Sequence, residues 1–317
     1  MKKLRGILAV CVLYLLSFAS ASAHVKWFVE EEKIEPIPWY ALTDKPVVVW
    51  YMVVLCMVVL GAYLDRIIKT PRWLTLYDKT HEYGIHRVAE ALLGIFLIVT
   101  VDFFWNTIIT PYVDVGEMAR VMISGLQLAL GVLFISGLYI RVASSLLFLL
   151  CIAMGLWSGP VVFFENLLLL SMSVYLFLET FKKGVLPDWL FRHKRDILRV
   201  GSGICLVVLA FTEKLLYPEF SLAFLEAHPW NFIKPVFPNF SDALFILSVG
   251  MSELLFGILF TLGYLTRITT LALSACLVSS ATAMYFSIGD WEPGHVVIYA
   301  VAIIFVFYGS DKIKERA

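Results

Sequence analysis

Apolar residues make up 60% of the 317-residue chain and charged residues only 16%, and the formal net charge is zero. That balance sets the chain apart from an average soluble domain and leaves no basic footprint for nucleic acid. The five cysteines, Cys11, Cys56, Cys151, Cys205 and Cys276, all lie inside apolar runs with no CxxC pair. A disulfide scaffold, a thiol relay and a zinc site are thereby disfavoured.

Residues 1–23 read as a secretory signal. Lys2, Lys3 and Arg5 precede an apolar core, and Ala21-Ser22-Ala23 offers an A-x-A cleavage site. Cleavage there makes His24 the mature N-terminus; the alternative is an uncleaved first helix. Residues 24–45 form a polar arm in which Pro36 and Pro38 oppose a continuous helix, and Trp27, Phe28, Trp39 and Tyr40 suit the headgroup layer.

Nine apolar spans follow, over residues 46–65, 87–105, 118–140, 142–157, 162–180, 197–216, 241–264, 268–287 and 293–309. The expected fold is an all-α, polytopic membrane protein. Nineteen of the basic residues fall in segments assigned to the inside and six outside. This asymmetry predicts a bacterial inner-membrane protein with an outer (periplasmic) arm and a cytoplasmic tail at 310–317.

Two stretches repeat. Gly131, Leu133, Phe134, Gly137 and Arg141 recur 126 positions later as Gly257, Leu259, Phe260, Gly263 and Arg267. In that register Gln127 corresponds to Glu253. We therefore expect two four-helix copies, 87–180 and 197–309, preceded by one additional helix. The spans after Arg141 and Arg267 are rich in small residues, which permits close helix packing in lipid.

The run Glu253-x3-Gly257-x5-Gly263-x3-Arg267, followed by a small-residue helix and the acidic turn Gly289-Asp290-Trp291-Glu292, resembles the DoxX/DoxD-like membrane proteins. Those are four-helix modules, and this chain looks like two of them fused over residues 85–309. The resemblance implies membrane redox work with the quinone pool. DoxD-like members are associated with thiosulfate:quinone oxidoreductase and DoxX-like members with membrane oxidoreductase complexes. Gln127 at the acidic position departs from the pattern, as do the extra helix and the His24 arm.

Polar groups gather toward the outer half. Glu253, Lys214 and Glu213 are the candidate catalytic groups, with His295, Glu292, Arg267 and Trp230 as candidate substrate contacts. Proton-coupled quinone chemistry needs hydrogen-bond partners, a titratable group and an apolar slot. The competing reading is a buried ion network that only holds helices together. A second candidate is copper bound by a mature His24 terminus, with His228 as another outer imidazole; otherwise His24 is only the first residue after a signal cut. Glu165-Asn166 corresponds to the Glu292 turn, and both it and Asp102 read as polar caps at helix ends. His81, His86 and His193 read as ordinary interfacial histidines.

Three function classes remain open. They are a quinone-linked subunit of a membrane or periplasmic oxidoreductase complex, a non-catalytic membrane anchor, and a transporter or metal-handling protein. The bilayer is a partner in all of them.

Overall fold

A computed structural model describes residues 40–68, 72–104, 115–182, 184–228, 230–288 and 294–309, with the side chains of 72–82, 102–104, 283, 287 and 288 left aside. The signal segment, the arm before Tyr40, His24, Glu292 and the tail lie outside the described residues. Among the described residues every regular element is a helix.

The helices are α1 (Lys45–Ile67), α2 (Arg72–Phe104), α3 (Glu117–Ser136), α4 (Ile140–Ser158), α5 (Pro160–Glu165), α6 (Leu167–Glu179), α7 (Asp188–Ala210), α8 (Pro218–Ala227), α9 (Asp242–Leu262), α10 (Thr266–Ile288) and α11 (Gly294–Tyr308). A π-helical turn, Phe211–Leu215, continues α7. Among the described residues six helices are long and apolar enough to cross a bilayer, and α7 with its π-turn and α8 makes a seventh if that pair, bent by 67°, counts as one span. The chain is a helical multi-pass membrane protein, but the expectation of nine full spans is not met.

Two of the expected spans fall short for local reasons. The segment 162–180 divides at Asn166 into helices of 6 and 13 residues. The Asn166 side-chain amide donates to Val162 O at 2.8 Å, sharing that carbonyl with its own backbone N–H at 3.1 Å, a local bond of the kind that favours helix ends. The last span is a 15-residue helix, whose C-terminus is closed by Gly309 at φ 67°. At about 1.5 Å per residue it is roughly 22 Å long, below the ~30 Å hydrocarbon thickness.

Packing follows a closed cycle. Helix α2 packs on α3, α3 on α4, α4 on α6, α6 on α7, α7 on α9, α9 on α10, α10 on α11, and α11 back on α2. The last helix of each half therefore lies against the first helix of the other. Helix α1 stands outside this cycle and packs on α9.

Contacts within the halves recur in register. In the first, Arg87 donates to Ile135 O at 3.0 Å and approaches Phe134 O. In the second, Arg199 donates to Phe260 O at 2.8 Å and to Thr261 O. Each guanidinium thus joins the capping glycine N–H in satisfying the carbonyls of the last helical turn. The turns that follow match as well. Gly137 and Gly263 have φ of 72° and 71°, and Tyr139 and Leu265, two residues on, have φ of 51° and 48°. The positive φ favours glycine at 137 and 263, and a Cβ there would also crowd the guanidinium, falling 2.4 Å from Arg87 Cζ or 2.9 Å from an Arg199 nitrogen. Beyond each turn, Arg141 binds Thr180 O at 3.1 Å, and Arg267 binds Val306 O at 2.9 Å and also Phe307 O.

Helix crossings in both halves use glycine to bring backbones together. Gly94 faces Gly131 across α2 and α3, and Gly203 faces Gly257 across α7 and α9.

Candidate functional site

The site is built on the π-turn. Five residues, Phe211-Thr212-Glu213-Lys214-Leu215, form it, and all but Phe211 are buried. A π-turn widens the helix and redirects its side chains, and such turns concentrate at functional positions. Here it turns Lys214 toward α9.

Lys214 Nζ lies 2.9 Å from Glu253 Oε2 and 3.5 Å from Glu213 Oε2. The Lys214 and Glu213 side chains are 2% and 3% exposed and Glu253 is 14% exposed. Gly250, one turn before Glu253, makes room for the lysine stem, since a Cβ there would meet Lys214 Cβ at 3.0 Å. Ser221 Oγ on α8 donates to Glu213 O at 3.1 Å, tying the bent helix α8 back to the π-turn. Removing one partner of such a buried pair leaves a charge without compensation, which costs about 3–5 kcal/mol.

The structure thus brings Glu213 and Lys214 of the π-turn together with Glu253 of α9. Beside them is a cavity of about 10 Å³ lined by Lys214, Ser221, Phe224, Phe245, Ile246 and Val249 among others. That volume holds about one water. It does not admit a quinone ring. Phe224 connects the cavity to the segment between α8 and α9: Trp230 meets its ring edge-on at 5.2 Å and His228 lies 5.1 Å away. Both residues are therefore neighbours of the Lys214 cavity through one phenylalanine.

The remaining candidates lie elsewhere. Arg267 sits beyond the opposite end of α9 from Asp242, where it binds the C-terminal carbonyls of α11. His295 is buried at the start of α11, with its ring 6.3 Å from Tyr299. Glu292 and His24 are not among the described residues. Among those that are, no group of three or more His, Cys, Asp or Glu side chains is arranged to hold a metal ion.

Two groupings went unforeseen. The Glu165 carboxylate, read from sequence as a helix cap, accepts a hydrogen bond from Thr212 Oγ1 at 2.6 Å. The signal available in the sequence was an acidic residue inside an apolar stretch, which at membrane depth has a partner by default. His86, read as interfacial, links three helices: Nδ1 is 3.1 Å from Tyr175 Oη on α6, and Nε2 is 3.3 Å from Tyr308 Oη on α11. Nothing in the local sequence reveals that bridge, because its partners are 89 and 222 positions away.

The first half has a neutral counterpart of the site. Gln127, fully buried, donates through Nε2 to Leu97 O at 3.0 Å and to Thr100 Oγ1 at 2.9 Å. An amide satisfies those acceptors where a carboxylate would face them with oxygen.

No family model, curated protein or solved structure matches the chain.

Proposed function

We propose that the chain is an integral-membrane component of a DoxX-like redox complex linked to the quinone pool, acting as a subunit and not as a self-contained catalyst. The observation that carries this reading is the burial of Lys214 with Glu213 on a π-turn and against Glu253 of the apolar helix α9. Ionisable groups at such depth are costly and mark proton or substrate paths. The one-water cavity at Lys214 does not fit a quinone ring, so the cluster is assigned proton exchange and no quinone step is placed in it. The repeated contacts of Arg87 and Arg199 support a tandem duplication of one module, with the ionic site retained in the second copy. In this reading the protein sits in a bacterial inner membrane with its outer arm periplasmic and its tail cytoplasmic.

The test is Glu253→Gln in native membranes, with thiosulfate-driven reduction of a short-chain quinone as the readout. We expect turnover to be lost while the protein still inserts at wild-type levels. Unchanged turnover overturns the redox reading.

The smallness of the cavity favours a second reading, a membrane anchor for a partner subunit. It predicts that Glu253→Gln is silent, and that changes at Trp230 and His228 abolish co-purification of the partner. Copper at a mature His24 terminus is tested separately, by native mass spectrometry of the purified protein. An intact mass that retains residues 1–23 excludes that site.

A further inference from the structure

Glu165 is contributed by the first half of the chain, yet its side chain lies against the π-turn of the second. Thr212 Oγ1 donates to Glu165 Oε1 at 2.6 Å, and Cys205 Sγ donates to the Glu165 carbonyl at 2.8 Å. Both donors sit on α7 and its continuation, seven residues and so about two turns apart on one face. The break at Asn166 delivers the carboxylate: it ends α5 at Glu165, and α5 packs directly on α7. Glu165, Glu213 and Glu253 all lie within electrostatic reach of the Cys205 thiol, so the three carboxyls converge on one region of the bundle.

A π-turn replaces the tight i→i−4 ladder with wider bonds, and the direction in which its side chains leave depends on support from outside the helix. Thr212 immediately precedes Glu213 and Lys214 in that turn. We propose that Glu165 is a positioning residue for the Glu213–Lys214–Glu253 site. By accepting the Thr212 hydrogen bond it fixes the π-turn and so the approach of Lys214 to Glu253. This inference rests on the reading of that cluster as the working site. It makes the site a joint product of both halves, with the first copy supplying the support and the second the ion pairs.

The experiment compares Glu165→Gln, Glu165→Ala and Thr212→Val in the full-length protein in native membranes. The glutamine keeps a carbonyl oxygen for Thr212, whereas the other two changes remove the bond. One readout is thiosulfate-driven reduction of a short-chain quinone across pH. The other is labelling of Lys214 by a membrane-permeant N-hydroxysuccinimide ester, read by peptide mass spectrometry. Glu165→Gln is expected to stay within about twofold of wild type in both, while Glu165→Ala and Thr212→Val raise Lys214 labelling and lower turnover by about tenfold, the scale of one lost charged hydrogen bond. A glutamine as damaging as the alanine overturns the proposal, because the charge and not the acceptor would then matter. Unchanged Lys214 labelling in both deletion variants overturns it as well. If Glu165→Ala does not insert, the near-isosteric Thr212→Val carries the test. Glu253→Gln is measured alongside: wild-type turnover there defeats the redox reading, and the labelling readout still decides the role of Glu165.

Discussion

Helices α3 and α9 occupy matching places in the two halves, and they meet different surroundings. The most apolar stretch of α3 is 22% buried and that of α9 is 78% buried. Each carries one polar residue at the matching position, Gln127 in α3 and Glu253 in α9. The crossing partners differ accordingly: a carbonyl and a hydroxyl face Gln127, whereas an ammonium faces Glu253. Among the described residues α9 also packs against α1 and the bent helix α8, for which α3 shows no counterpart. The comparison teaches that the carboxylate sits on the helix that protein surrounds, and the neutral amide on the helix left largely exposed. Lipid offers nothing to a carboxylate, whereas a protein wall can bring a lysine and hold it.

That contrast can be broken from either side, and the largest effects come from misplacing charge. Lys214→Met removes the ammonium that lies 3.5 Å from Glu213 and 2.9 Å from Glu253. We expect a loss of about 3–5 kcal/mol, seen as a strongly lowered Tm in lipid nanodiscs. Gln127→Glu attempts the reverse experiment by placing a carboxylate against Leu97 O in the half that supplies no lysine there. It should cost a similar ~3 kcal/mol, the scale of an uncompensated charge in a span. If Gln127→Glu is tolerated at wild-type Tm, the electrostatic account of the asymmetry fails.

Next in size is the glycine crossing of the second half. A Cβ at Gly257 would meet Val207 N at 2.9 Å and Gly203 O at 3.0 Å, so backbone and not a pliable side chain must yield. Gly257→Ala should destabilise by about 1–3 kcal/mol and push α7 away from α9. The same change at Gly125 of α3, where nothing lies within 4 Å, should be nearly silent. Comparing the two Tm values sharpens the distinction between a packed and an exposed helix face.

Much of this architecture was legible in the sequence. The 126-residue register located both turns, both capping glycines and the arginines that bind the following helix ends. The triad Glu213, Lys214 and Glu253 could be named because charges in apolar runs stand out. The closed cycle could not be read, since it depends on which helix the last span of each half chooses as a neighbour. The span count exceeds the structure where hydropathy is the main signal: 162–180 is apolar on average, yet its helix breaks at Asn166, beside the polar pair Glu165-Asn166. The π-turn was invisible for the same reason, as its sequence differs little from ordinary helix. Glu165 was undervalued because a carboxylate at a helix end has a sufficient local explanation until Thr212 is seen beside it.

The smallest effects concern α1, the cover that distinguishes α9 from α3. It is fastened at both ends: Tyr40 Oη donates to Ala243 O at 2.8 Å, and Leu265 N donates to Asp65 Oδ1 at 2.9 Å. Between them, a Cβ at Gly61 would fall 2.7 Å from Leu259 Cδ2, so the two helices lie close together. Burial holds the Tyr40 phenol above its ordinary range, which keeps it a donor. A group whose folded-state pKa is raised contributes fully below its unfolded value and loses that contribution as pH rises. The Tyr40 contact should therefore be indifferent to pH across the neutral range and weaken only above about pH 10. Tyr40→Phe should cost about 1 kcal/mol at neutral pH and lessen the alkaline fall in Tm. Asp65→Ala should cost a similar ~1 kcal/mol with no such alkaline signature. If removing either fastening changes Tm as much as Lys214→Met does, α1 is a structural keystone in its own right, and the comparison of α3 with α9 has been attributed to the wrong element.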